Sequence, residues 1–382
     1  MSTDSSLKIA SSKPNRLHLL NAAGQSVWLD FITRDLLRSG DLARLIAVDG
    51  IAGVTSNPSL FQKAISNGTA YEKEISALAR QGMTALQIYE ALAIADIRDA
   101  CDLLAPVYER TQTRDGYVSL EVNPHLADDA TATLLEARRL FNAVARPNVM
   151  IKIPATAAAL PAITSAIAEG INVNVTLIFS VERYEQVLDA WLGGLEAAIC
   201  EDAPTLSRTS SVASFFISRV DAALDPVLQK NSATAQLQGA VAIANAANAY
   251  SRFLAMRASA RFRALAARGA IAQRPLWAST SPKSSAYRDV VYVEDLVTAQ
   301  TVNTLPPQTL AAFRDHGAVH RNLADSNVQT ESTHVLSELQ RLGVDLRATS
   351  EQLEREGVKL FADAFDSLIA SIVHKSTYPT AT

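Results

Sequence analysis

Short runs of β-branched and other apolar residues alternate along this chain with longer stretches whose apolar positions recur every three or four residues. That is the pattern of repeated strand-helix units around a parallel sheet. In order, the strand candidates are Val27–Phe31, Gly53–Asn57, Tyr117–Val122, Val149–Pro154, Val173–Phe179, Ser211–Ile217, Leu276–Ser281 and a weaker one at Thr301–Leu305. Eight of them predict an α/β fold closed into a (β/α)8 TIM barrel. Leu86–Glu109, Asp128–Ala145 and Val181–Ile199 read as helices between them. The Ala-rich stretch Ala233–Arg268 is longer than one barrel helix needs and reads as a helical insertion, about residues 233–270, before the seventh strand. Thr349–His374 reads as a C-terminal amphipathic helix, with Leu353, Leu360, Phe361, Phe365, Leu368 and Ile372 as its apolar stripe. The Ser-rich residues 1–15 read as a flexible tail, and nothing divides 16–382 into separate domains or shows a short-period repeat.

The chemistry is carried by the polar residues that interrupt these strands. Successive strand side chains alternate between faces, so in VWLDF the apolar Val27, Leu29 and Phe31 oppose Trp28 and Asp30. In YVSLEV, Val118, Leu120 and Val122 oppose Ser119 and Glu121, and in VMIKI, Val149, Ile151 and Ile153 oppose Lys152. In VNVTLIF, Val173, Val175, Leu177 and Phe179 oppose Asn174 and Thr176. With the apolar faces turned to surrounding helices, Asp30, Glu121, Lys152, Asn174 and Thr176 point into the barrel near its C-terminal mouth, where barrel enzymes keep their active sites. Taken singly, each has a plain alternative as an edge-strand guard or half of an ion pair. Five together point to a site.

An amine held in a water-poor strand environment loses stability in its charged form, and a neutral amine attacks a ketone carbonyl to give an iminium. The iminium is an electron sink that makes the neighbouring carbon-carbon bond breakable. Two carboxylates then serve separate proton transfers, and Thr176 is placed to orient a relay water. Asn57, in Thr55-Ser56-Asn57-Pro58-Ser59, either binds a substrate hydroxyl at the mouth or simply makes an Asn-Pro turn. Ser214 on the sixth strand is a further substrate-binding candidate; for phosphate, Arg219 follows just after that strand, while Ser279 and Lys283 follow the seventh, and late strands are the usual phosphate position in barrels. The Arg219 fork suits phosphate better than the point charge of Lys283, with a surface ion pair at a helix start as its alternative.

Bulk properties exclude several classes. Hydrophobic residues make up 48% and charged residues 19% of the 382, enough for a sizeable core. Lys and Arg number 35 against 39 Asp and Glu, for a net charge of -4, so there is no global field to hold nucleic acid or an anionic membrane. No apolar run approaches the ~20 residues of a membrane span, and the N-terminus lacks a secretory core. Cys101 and Cys200 have neither disulfide-framework nor zinc spacing, which points to a reducing cytoplasm. No Gly-rich nucleotide loop is present.

The segments VWLDF, GVTSNPSLF, VSLEVNP, MIKIPAT, INVNVTLIFS and Ser214 to Arg219 resemble the signature strands of transaldolases, in the same order, from about Ser26 to about Leu310. The resemblance implies Lys152 as the Schiff-base lysine, Asp30 as acid/base for carbon-carbon cleavage and Glu121 as acid/base through a water near Thr176. It further implies Asn57 and Asn174 on substrate hydroxyls and Arg219 and Ser279 on phosphate. Transaldolases are (β/α)8 barrels of the pentose phosphate pathway that move dihydroxyacetone from sedoheptulose 7-phosphate to glyceraldehyde 3-phosphate, giving erythrose 4-phosphate and fructose 6-phosphate. The implied partners are small sugar phosphates, with no metal or organic cofactor, in a monomer or homo-oligomer. After the seventh strand Ala278-Ser279-Thr280-Ser281-Pro282-Lys283 replaces the Ser-Phe-Arg of shorter members, resembling a longer-chain bacterial branch and making Lys283 the substitute for the second basic phosphate ligand.

The competing enzyme reading is a class I fructose 6-phosphate aldolase that releases free dihydroxyacetone, against which Glu121, Asn174 and Thr176 speak. A catalytically dead binding scaffold is the non-enzyme reading. His316 and His320 have metal-pair spacing, but Gly317 breaks the helix between them and no third ligand lies near. Arg252, Arg257, Arg261, Arg263 and Arg268 read as a solvated helix face.

Overall fold

The computed structural model describes residues 15–200, 206–230 and 232–377, so the expected tail at 1–15 lies, but for Asn15, outside the described residues. Eight parallel strands close into a barrel: β1 (Gln25–Leu29), β2 (Gly53–Val54), β3 (Tyr117–Glu121), β4 (Val149–Pro154), β5 (Val173–Ile178), β6 (Ser211–Phe216), β7 (Arg274–Ala278) and β8 (Thr301–Leu305), with β8 returning to β1. Every strand residue is buried, because helices cover the outer face and packed side chains fill the inner one. This explains why the strands read as nearly continuous apolar runs whose few polar residues stand out.

Three strands differ from expectation by more than one residue, and the third, fifth and sixth each end one residue early. The second keeps two residues of the expected five, because Asn57 leaves the ladder to cap the helix Pro58–Asn67, and Pro58 has no N–H to give a neighbour. The first runs from Gln25 and stops at Leu29, leaving Asp30 just past the strand, its N–H still bonded to Leu305 O at 2.8 Å. The seventh is Arg274–Ala278, ended by Ser279 in the left-handed conformation with φ 56°.

The N-terminal end of the barrel is plugged. Arg274 donates to Ser26 Oγ and Asp115 Oδ1, both at 2.9 Å, and Trp28 Nε1 donates to Asp115 Oδ1 at 3.1 Å. With that end closed by a buried charge network, access is from the C-terminal mouth. The C-terminal helix, Leu346–Thr377, lies over that mouth and packs against Pro58–Asn67, Ala85–Arg110, Ser218–Leu228 and β5. Its apolar stripe is real, but Leu360 is exposed.

The alternation expected along the fifth strand does not hold. Val175 pairs with Ala213 and Ile178 with Phe215, so Thr176 and Leu177 together oppose one β6 residue in a bulge. Leu177 takes φ 61°, and its Cδ2 lies 2.9 Å from where a Cβ on Gly357 of the C-terminal helix would stand. The bulge therefore turns Leu177 toward the helix over the mouth, where simple alternation puts it with Val175. The stretch at 233–270 forms helices Ser232–Ala235, Val241–Ala258 and Ala260–Ala266. Val241–Ala258 is buried along most of its length against Val181–Cys200 and Ser326–Arg341, a full member of the helical layer. Its outer arginines meet acids of the neighbouring helix: Arg252 lies 3.2 Å from Glu185, and Arg261, on the next helix, 2.7 Å from Glu196. His316 bonds to Asp289 and Asp315, while His320 lies 3.8 Å from Asp295, so the two histidines engage different carboxylates.

Candidate active site

Parallel pairing sets Glu121 beside Lys152 and Lys152 beside Asn174, placing three polar side chains at one level across β3, β4 and β5. Lys152 is only 5% exposed. Its Nζ donates to Ser56 O at 3.0 Å, lies 3.6 Å from Glu121 Oε2 and sits 5.8 Å from the centre of the Phe361 ring. The Glu121 separation makes an ion pair too long for a direct hydrogen bond. Glu121 Oε2 and Thr176 Oγ1 are both buried without a hydrogen-bond partner among the described residues. Burial pushes the Glu121 carboxyl up to about 7 against the downward pull of Lys152.

Asp30 stands across the barrel. Thr55 Oγ1 donates to Asp30 Oδ1 at 2.7 Å and lies 2.8 Å from Thr304 Oγ1; with one proton per hydroxyl, Thr304 donates to Thr55 while Thr55 donates to Asp30. Burial raises the Asp30 pKa, offset in part by the Thr55 hydrogen bond and then by Lys152 and Lys283. The two carboxylates thus differ in their surroundings: one has a hydroxyl donor, and the other faces the amine with an open oxygen.

Asn174 is held at both ends of its amide, its Nδ2 donating to Ser119 Oγ at 3.0 Å and its Oδ1 accepting from Ser214 Oγ at 2.7 Å. Ser214 therefore orients Asn174. Asn57 Oδ1 accepts from Leu60 N at 3.0 Å as a helix cap, which leaves its Nδ2 to donate elsewhere. The turn and the site reading of Asn57 are compatible.

The basic residues gather at the late strands. Arg219, at the start of the helix Ser218–Leu228, lies 5.6 Å from the centre of the Phe216 ring, and burial lowers its pKa while Glu356 of the C-terminal helix raises it. Lys283, in the loop after β7, has its pKa lowered by desolvation and then by Arg219, and raised by Asp30. These mutual influences put Lys283 in electrostatic reach of both Arg219 and Asp30. Ser279 Oγ lies 3.1 Å from Ser218 Oγ, and Ser279 O accepts from Ser218 N at 3.1 Å.

A buried amine flanked by two differently placed carboxylates, with two cations at the rim, suits iminium chemistry on a phosphorylated ketose. The family model described as Transaldolase/Fructose-6-phosphate aldolase matches residues 27–372. The chain belongs to that family. It is 47% identical over 363 residues to the protein named Transaldolase from Parafrankia sp. (strain EAN1pec), covering 94% of this chain and 97% of that one. It is 45% identical to Transaldolase 2 of Nostoc sp., with 94% and 97% covered, and 47% identical to Transaldolase 1 of Streptomyces coelicolor, with 95% of each covered.

Within this transaldolase-family barrel, sequence reading missed four contributors. Thr304 and Ser119 are polar residues on inward faces of strands and were visible in the same alternation that marks Asn174. Ser56 acts through its backbone carbonyl, which no side-chain pattern reports. Phe361 reads as an ordinary apolar-stripe residue, and only the path of the C-terminal helix brings it over Lys152.

Proposed function

We propose that the protein transfers dihydroxyacetone from sedoheptulose 7-phosphate to glyceraldehyde 3-phosphate through a Schiff base on Lys152, giving erythrose 4-phosphate and fructose 6-phosphate. The observation that carries this reading is the buried Lys152 amine 3.6 Å from Glu121 in a barrel of the transaldolase family.

The Lys152 amine adds to the ketose C2 carbonyl, and loss of the resulting hydroxyl as water forms the iminium. Glu121 is the carboxylate in reach for those proton transfers, and a carboxyl titrating near 7 can both give and take a proton at neutral pH. The unpartnered Thr176 Oγ1 supports a relay through water between Glu121 and the carbinolamine. Asp30, hydrogen-bonded by Thr55, is the carboxylate that takes the C4 hydroxyl proton; the C3–C4 bond breaks, its electrons enter the iminium, and the aldose phosphate departs. The enamine then attacks the acceptor aldehyde, Asp30 returns its proton to the new hydroxyl, and water releases the product from Lys152. Asn174 and Asn57 bind substrate hydroxyls, and Arg219, Lys283 and Ser279 hold the phosphate.

Borohydride reduction in the presence of fructose 6-phosphate fixes a three-carbon adduct on the peptide containing Lys152, read by mass spectrometry, and Lys152→Ala abolishes transfer. An adduct confined to other lysines, or a fully active alanine variant, overturns the assignment. Turnover independent of an acceptor aldose phosphate identifies an aldolase instead.

A further inference from the structure

Arg219 and Lys283 pose a mechanical problem. Each is a cation within electrostatic reach of the other, and Lys283 sits in an exposed loop that repulsion from Arg219 pushes away. Something must hold that loop against the helix Ser218–Leu228. Two tyrosines beyond Lys283 reach back to that helix: Tyr287 OH donates to Asp225 Oδ2 at 2.6 Å, and Tyr292 OH donates to Asp221 Oδ2 at 2.8 Å.

Both carboxylates are themselves fixed. Asp225 Oδ1 accepts from Gly239 N at 3.1 Å, and Asp221 Oδ1 accepts from Ala242 N at 2.8 Å. Asp221 and Tyr292 are almost wholly buried. Gly239 adopts φ +71°, and a Cβ there would meet Tyr287 Cε1 at 2.8 Å, so the Tyr287 ring packs directly on a backbone that only glycine readily supplies. At its other end the loop is tied through Ser279 to Ser218, next to Arg219. Lys283 thus lies in a span fastened on both sides to the helix that carries Arg219.

We propose that Tyr287 and Tyr292, through Asp225 and Asp221, are positioning residues that clasp the Lys283 loop to the Arg219 helix and hold the two cations converged on one phosphate. The inference rests on the reading of Arg219 and Lys283 as phosphate ligands. Each tyrosine hydroxyl is engaged by an aspartate of the helix Ser218–Leu228. The two tyrosines reduce the cost of bringing two like charges together before the dianion arrives, so their effect falls on binding of the phosphate and not on chemistry at Lys152.

The test compares Tyr287→Phe, Tyr292→Phe and their double variant in the full-length enzyme, with fructose 6-phosphate and unphosphorylated fructose as donors. Loss of one hydrogen bond to a carboxylate is expected to raise KM for fructose 6-phosphate roughly tenfold, with kcat little changed and kinetics on fructose unaltered. In a Lys283→Met background the Tyr287→Phe effect should largely vanish, since it acts through that lysine. Equal losses on both donors, no change in KM, or full additivity with Lys283→Met overturns the clasp. If Lys283→Met itself leaves KM for fructose 6-phosphate unchanged, the underlying phosphate reading fails, and that result is distinguishable from failure of the clasp alone. Tyr292→Phe serves as the second variant should the Tyr287 substitution lower the melting temperature.

Discussion

Replacing Glu121 by Gln should stabilise the fold at alkaline pH while disabling the enzyme. In the folded protein the carboxyl titrates near 7, against a model value of 4.5. Between those values the folded state holds a proton that the unfolded chain has released, so stability is full below about 4.5, falls as pH rises through the window, and is level again above about 7. The difference of 7 and 4.5 is 2.5 units, which at 1.36 kcal/mol per unit is on the order of 3 kcal/mol, an upper figure for a carboxylate coupled to Lys152. Glutamine preserves the shape and the neutral state, and Lys152 keeps its bond to Ser56 O. Chemical denaturation of both proteins at pH 4.5, 6, 7 and 8 checks this: the curves should nearly meet at the acid end, separate through the window from about 4.5 to about 7 with the variant higher, and stay apart by a constant amount above it. Turnover should fall by roughly 10²–10⁴, the usual contribution of a general acid/base. A constant offset at every pH, or a variant less stable at pH 8, would refute the burial argument whatever happens to turnover.

Thr176→Val removes the hydroxyl that would hold the relay water beside Glu121, so hydrolytic release of the Schiff base should slow, seen as accumulation of borohydride-trappable adduct; unchanged adduct levels break the relay. Thr55→Val removes the hydroxyl donor that lowers the Asp30 pKa, so the acid limb of the kcat/KM profile should move to higher pH; an unmoved limb breaks the assignment of Asp30 as the cleavage base.

The barrel and the polar cluster of the candidate site were legible because a doubly covered parallel sheet tolerates polar residues only where they have work or partners. That constraint turns alternation into a detector, and it marked Glu121, Lys152 and Asn174, which the β3–β4–β5 register sets side by side. The same rule misplaced Leu177, because a bulge depends on a backbone choice, φ 61° in a leucine, that leaves no mark in residue type. The C-terminal helix declared an apolar stripe but not its destination; amphipathicity says that a face is buried, never against what, so Phe361 over Lys152 was invisible. Asn57 was posed as a turn or a ligand, whereas capping uses only its carbonyl oxygen and leaves the amide nitrogen free, so the two readings never competed. The Tyr287–Asp225 bond joins residues 62 apart in sequence, and either partner alone reads as a solvated polar side chain. The gradient is physical: what a side chain must avoid is written locally, whereas what it will meet is decided by topology. Groups that must avoid water, such as the Lys152 amine, therefore surface early, and contacts that reach across the fold, such as the Tyr287–Asp225 bond, surface only with the structure.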